Sequence, residues 1–211
     1  MTTGGFTLLI IIVTIVISIL AFSNRELFLK AQFNAFQVYH RKEIYRLLSH
    51  GFIHANWWHL GINMFVLYSF GSQVEYIFHS LSEAGYLKSP VFAFLLLYFV
   101  AIIFSSTISL VKHKDNAWYN AVGASGAVSA IVFFTIFFDP WDPLQLYFFI
   151  PVPRIIFAVL YLLYSQYMAR RGGDNIGHDA HFLGAIFGFI FPLFIHIDLY
   201  KYFIAKLFFM Q

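Results

Sequence analysis

Cysteine is absent from the 211 residues, which excludes disulfides, thiol catalysis and Cys-ligated metals. Charge is scarce too. Asp, Glu, Lys and Arg make up 11% of the chain, against roughly 25% in an ordinary soluble domain. The net charge of +3 is too small and too scattered to build a nucleic-acid surface, so nothing points to DNA or RNA as a partner. Internal repeats and low-complexity tracts are likewise missing. What abounds is apolar surface: 60% of residues are hydrophobic, with 28 Phe and 13 Tyr, a surplus that suits lipid-facing helices and the aromatic belts of membrane interfaces. The lipid bilayer is therefore the main solvent of an all-α, multi-pass membrane protein. A span needs about 20 apolar residues, so the length allows six helices in one domain, residues 1–211, with no separate soluble part.

The runs can be placed along the chain. Phe6 to Phe22 lacks the basic flank and small-residue cleavage site of a signal peptide and reads as a retained first span. Asn24 to Asn56 mixes charges with aromatics, as expected of short amphipathic helices lying in the interface. Trp57 to Phe78 and Val91 to Val111 form spans two and three, the former opened by the belt-like pair Trp57 and Trp58. Lys112 to Asn120 is a polar loop, and Ala121 to Phe138 is a short span four that begins with small residues and stops at Asp139 and Pro140. Prolines forbid a regular helix between Trp141 and Pro153, which puts Leu146 to Ile150 at the interface and starts span five near Arg154. Span five ends near Met168. Ala169 to Gly177 is a loop, and His178 to about Ile197 is span six.

With six spans, the starts of spans two, four and six share one side of the membrane, and the polar groups of interest cluster there. Ser125 lies in Gly123-Ala124-Ser125-Gly126 at the start of span four, flanked by residues too small to shield its hydroxyl. His181 lies about one turn inside span six, with Gly184 and Gly188 following at small-xxx-small spacing. Small residues let helix backbones approach closely, which a Ser hydroxyl and a His ring need to reach each other. Taken singly, each motif reads equally as helix packing or as a satisfied polar residue; their placement at one depth favours chemistry. His59 and Asn63, four residues apart on one face of span two, can both donate hydrogen bonds. Such a pair acts either as an interhelical clamp or, with the Ser125 backbone N–H, as donors to an oxyanion.

Ser125, His181, His59 and Asn63 together resemble the rhomboid family. The motifs HxxxxHxxxN, GxSG and HxxGxxxG appear here as His54–His59–Asn63, as Gly123 to Gly126, and as His181 followed by Gly184 and Gly188, in the family's order and on alternate spans. Gly71 and Glu75 in span two also fit, and the resemblance covers nearly the whole chain. Two positions depart from it. Tyr45-Arg46 stands where the family usually has Trp-Arg, and Ser129 stands one turn after Ser125 where the family often has a Tyr stacking on the catalytic His. The resemblance implies a six-helix bundle with an interfacial first loop and an intramembrane serine endopeptidase with Ser125 and His181 as a catalytic dyad. It further implies His59 and Asn63 as oxyanion donors and a single-span membrane protein as substrate, entering past span five. No cofactor and no metal are needed.

Other readings are weaker. His50 and His54 have helical metal-ligand spacing, but no HExxH and no carboxylate stands in register. The run Arg171-Gly172-Gly173-Asp174 falls short of the GxGD of aspartyl intramembrane proteases, and no second in-span Asp exists. A transporter would need paired broken helices and intramembrane charges. A catalytically silent rhomboid-like protein that binds transmembrane helices is the alternative to an enzyme, and retention of both Ser125 and His181 argues against it. Asp179 sits two residues from His181, about 200° around a helix, and is expected to favour the helix start rather than to complete a triad; Asp174 is more remote. Gly172, Gly173 and Gly177 would suit a mobile cap over the site. Of the 13 Lys and Arg, nine fall on the active-site side and four on the other, which by the positive-inside rule alone would turn the site to the cytoplasm. Five of the nine lie in the first loop, where a folded interfacial element need not report translocation. The resemblance implies a bacterial inner membrane, with the site near the extracytoplasmic face.

Overall fold

The computed structural model describes residues 4–146, 150–171 and 177–209. α1 (Gly5–Ser23) is followed by an interfacial segment of three short helices, α2 (Arg25–Ala31), α3 (Ala35–Arg41) and α4 (Arg46–Ser49), with a two-residue strand β1 (Phe33–Asn34) between the first two and a 3₁₀ turn at His50–Phe52 after the last. Asn24 and Asn34 start α2 and α3 as N-caps, their side chains accepting from Leu27 N and Gln37 N. The short helices expected in the first loop are thus present. α5 (Trp57–Glu83) is capped by the Asn56 side chain, which accepts from His59 N. It continues past the expected end at Phe78.

α6 (Pro90–Ser105) and α7 (Thr107–His113) replace the single span expected over Val91 to Val111. The cause is local. Ser105, Ser106 and Thr107 each turn their hydroxyl back onto a carbonyl three residues earlier, competing with the helix ladder and bending it. β2 (Asn120–Ala121) pairs antiparallel with β1, Phe33 opposite Ala121, so α8 (Ser125–Phe138) begins four residues later than expected. Among the described residues, the stretch between α8 and Arg154 holds no helix, as its prolines require. It is a hairpin, β3 (Pro143–Leu146) against β4 (Ile150–Pro153), with Pro143 opposite Pro153. Both strands of a two-stranded ribbon are edges, where proline is tolerated. α9 (Arg154–Arg171), α10 (His178–Ile195) and a further helix, α11 (Leu199–Phe208), complete the chain; the sequence reading had no helix after Ile197.

α8 is the centre of the molecule: Gly126 through Phe138 are all buried, and Ser125 is the one residue of the helix that is not. α10 lies on it at backbone contact. A Cβ added to Gly184 would fall on the Gly126 carbonyl, and one added to Gly188 on the Ala130 carbonyl. α5 and α6 pack on other sides of α8 around Leu67, Phe78, Phe94, Leu97, Ile131 and Phe134. α1 is joined to α5 by Glu75, whose buried carboxylate accepts from Gly4 N at 2.9 Å, Thr7 N at 2.6 Å and Thr7 Oγ1 at 2.7 Å. That gives a carboxylate at a helix N-terminus, where the free N–H groups and dipole favour it; Gly71, one turn earlier, leaves room for Thr7.

Gly5–Ser23, Pro90–His113 and His178–Ile195 are long and apolar enough to cross a bilayer, and Ser125–Phe138 is a shorter apolar helix. α5, at 27 residues, has the length, but Asn63, Ser69, Ser72, Gln73 and Glu75 dilute its apolar character.

The backbone contact of α8 with α10 generates a first prediction. Gly184→Val should destabilise the protein by at least the roughly 1–3 kcal/mol of an overpacked core, read as a lowered thermal midpoint in detergent. A variant melting within a degree of the parent would mean that the helices are not in backbone contact.

Candidate active site

A cavity of about 1180 Å³ opens at the N-terminal ends of α5, α8 and α10. His59, Asn63, Ser125, Ser129, Tyr161 and His181 all line it. The four residues singled out in the sequence are thus brought to one chamber, each by a different local device.

Ser125 is the first residue of α8, so its backbone N–H has no partner within the helix and stands available at a helix start. The approach to it is fixed by Gly123, at φ +113°, a conformation that glycine adopts without strain. A side chain there is excluded on a second count: its Cβ would come within 2.5 Å of His59 Cε1 and 2.8 Å of Nε2. The His59 ring therefore lies directly on the GxSG turn. Asn63, one turn further along α5, is buried and gives one amide hydrogen to the His59 carbonyl at 2.8 Å, leaving its second N–H for another acceptor. His181 is carried to the cavity by the first turn of α10, held against α8 through the Gly126–Gly184 contact and, closer still, by Gly126 facing the Ala180 carbonyl.

The turn bearing Ser125 is also held from beneath by two histidines. Gly123 N donates to the His50 carbonyl at 2.9 Å, while the His50 ring bonds through Nδ1 to the Arg46 carbonyl at 2.8 Å. Ala124 N donates to His54 Nε2 at 3.5 Å, and His54 Nδ1 lies 3.0 Å from Ser18 Oγ, which donates to the Phe52 carbonyl. One neutral tautomer satisfies this chain, with the proton on Nδ1 and Nε2 accepting. Burial keeps both rings neutral: it pushes His50 down to about 4, and burial followed by the neighbouring His59 pulls His54 down to about 3. Arg46 ties the loop beneath them, donating to the Leu29 and Gln32 carbonyls at 2.8 Å and to Glu43 at 2.6 Å. A metal role for His50 and His54 finds no third ligand, since no cluster of three or more His, Cys, Asp or Glu is present among the described residues.

Asp179 turns from the cavity to Lys112 on α7, with Oδ2 2.8 Å from Nζ. It lies in the first turn of α10, where a carboxylate suits the helix dipole as expected, and there it also makes this ion pair. Gly172, Gly173 and Asp174 lie outside the described residues. The sequence reading passed over two groups: Tyr161 of α9, whose ring faces His181, and His178, whose ring meets His181 edge-on at 6.0 Å. Neither has a spacing signal, since an aromatic in an apolar span and a histidine at a span edge are both common.

The two loop histidines predict an acid limit. An unfolded imidazole titrates near 6.5, far above the folded values, so the unfolded chain takes up protons first. The contribution of these groups is complete above about pH 6.5 and is lost as pH falls toward 4 and 3. The thermal midpoint in detergent should fall between pH 7 and 4.5, and less steeply in His54→Gln. Equal slopes in variant and parent would remove His54 from the account.

Comparison with known proteins bears on the family of the chain. The family model described as the Rhomboid domain matches residues 41–197. Among curated proteins, the chain is similar to RHOMBOID-like protein 12, mitochondrial, of Arabidopsis thaliana, 29% identical over 157 residues that cover 67% of this chain and 44% of that protein. The match thus spans less than half the length of that relative.

Proposed function

Because this chain belongs to the rhomboid family and is an integral membrane protein, we propose that it is an intramembrane serine endopeptidase that cleaves transmembrane segments of other membrane proteins. The observation that carries the reading is Ser125 as the one unburied residue of a buried helix, opening into a cavity that it shares with His181, His59 and Asn63. In this reading α1, α5, α6 with α7, α8, α9 and α10 are six spans.

Ser125 Oγ attacks the carbonyl carbon of the scissile peptide as His181 takes its proton. The negative charge that develops on the carbonyl oxygen is met by the Ser125 N–H, the His59 ring and the free amide hydrogen of Asn63. His181 then passes its proton to the leaving amine, giving an acyl-enzyme. A water entering the cavity, deprotonated by His181, releases the acid and restores Ser125. This scheme uses no cofactor and no acidic third member. The engagement of Asp179 with Lys112 supports a dyad, because a triad carboxylate must bond the far ring nitrogen of the base.

In the folded first loop Arg46 is buried and spent on Glu43 and two carbonyls, whereas Arg25, Lys30, Arg41 and Lys42 are exposed, so discounting the loop's charges when orientation is read rests on its being a folded element. In a bacterial inner membrane, the assignment that the sequence resemblance carries, the site opens near the extracytoplasmic face; the relative named above is mitochondrial. A reporter fused to the carboxy terminus should be cytoplasmic, and an extracytoplasmic signal would invert the topology.

Ser125→Ala and His181→Ala should each reduce cleavage of a model transmembrane substrate to background in folded protein, and a fluorophosphonate probe should label Ser125 alone. A folded, substrate-binding parent that neither cleaves nor labels is a helix-binding protein instead. His59→Ala and Asn63→Ala should lower turnover by about 10²–10³ with little change in KM, whereas Asp179→Asn should retain most activity. A loss near 10⁴ in Asp179→Asn with the fold intact would restore a triad.

A further inference from the structure

The ring of Tyr161 lies nearly parallel to the His181 imidazole, with 19° between planes and centroids 6.4 Å apart. Its hydroxyl is 2.7 Å from Ser129 Oγ, and Ser129 is buried one turn below Ser125 on α8. The ring is braced on its other sides by Phe133 of α8 and Phe157 of α9, each with its centroid 5.5 Å away. One side chain of α9 is therefore tied by its hydroxyl to the helix of the nucleophile and by its face to the candidate base.

We propose that Tyr161 is a positioning residue for His181, its ring fixing the plane of the imidazole and its hydroxyl bond to Ser129 fixing the ring. The inference rests on the protease reading above. Two separate constraints meet in this residue. Offset rings at centroid distances of roughly 4.5–7 Å attract beyond their area of contact, and a half-buried hydroxyl pair such as Tyr161 with Ser129 loses a bond when either partner is removed. Together they leave the Tyr161 ring little freedom. A further consequence follows from where Tyr161 sits. Of the residues of α9, only Arg154, Ala158 and Ser165 are buried. Arg154 anchors the N-terminal end, bonded to Gln73 of α5 at 3.2 Å and 3.5 Å from Asp142. Beyond that anchor, the Tyr161–Ser129 bond joins α9 to α8 beside the site, so the base is aligned while α9 rests on α8.

The test uses the full chain purified in detergent, comparing the parent with Tyr161→Phe, Tyr161→Leu and Ser129→Ala. Two readouts are taken: kcat and KM on a cleavable transmembrane substrate, and the rate at which a small fluorophosphonate modifies Ser125. Tyr161→Leu should lower kcat by roughly threefold to tenfold, with KM within about twofold of the parent, and should slow probe labelling in step. Tyr161→Phe keeps the ring and should recover most of the loss. Ser129→Ala should match Tyr161→Phe, and the double variant should be no worse than either, because both remove the same bond. An effect of Tyr161→Leu on KM alone, or a probe rate equal to the parent's, would assign Tyr161 to substrate entry and overturn the proposal. If Tyr161→Leu fails to melt cooperatively, Tyr161→Met is read in its place with the same expected losses, and unchanged kcat and probe rate there overturn it. A folded parent that neither cleaves nor labels at Ser125 sinks the protease reading itself, a result distinct from an active parent indifferent to Tyr161.

Discussion

Everything in this molecule depends on α8 and α10 touching backbone to backbone. In lipid there is no hydrophobic drive between apolar helices, so association rests on close packing and on whatever polar contacts the approach permits. Gly126, Ala130, Gly184 and Gly188 supply that approach, and each glycine of α10 faces a carbonyl of α8 with no room for one more carbon. Because the contact begins in the first turn of both helices, the N-terminal residues of each are brought together. Ser125 and His181 are those residues. The other helices enclose the pair, which leaves α8 buried everywhere but at its first residue.

A second level of order is imposed by the first loop. Backbone amides of the GxSG turn are satisfied by a carbonyl and an imidazole of that loop, and the loop is itself closed by Arg46 on two carbonyls. A turn with left-handed backbone next to the start of α8 needs outside partners for its N–H groups, because helix and strand ladders do not reach it. The first loop therefore bears on the candidate site through hydrogen bonds to the backbone of the GxSG turn. α9 differs in kind: most of its surface faces outward, and near the site it is joined to α8 through a hydroxyl pair.

Much of this was legible in the sequence. The motifs of spans two, four and six occupy the starts of their helices as expected, since small residues and an intramembrane His or Asn are rare enough in apolar runs to stand out. What was not legible has physical reasons. His54 suggests ligation by its spacing, yet its role is to accept a backbone N–H seventy residues away, and no pattern in the sequence encodes a pairing so distant. The break at Ser106 arises from three successive hydroxyls whose effect depends on rotamer. Pro143, Pro151 and Pro153 announce that a helix ends without announcing that a hairpin follows. Tyr161 was missed because one aromatic among many on an apolar helix looks like lipid-facing surface until the fold turns it inward.

The brevity of α8 has its own consequence. Fourteen residues rise about 21 Å, well short of the roughly 30 Å hydrocarbon layer. A helix that short cannot reach both surfaces of the layer, and its first residue, Ser125, opens into the cavity between longer neighbours. The cavity is the way to Ser125 from outside the protein. In the protease reading proposed above, a scissile bond would come into this cavity, and a transmembrane segment that unwinds there leaves its freed backbone groups unsatisfied in lipid but not in a water-filled cavity. In that reading, the length of one helix bears on the depth in the membrane at which a chain is cut.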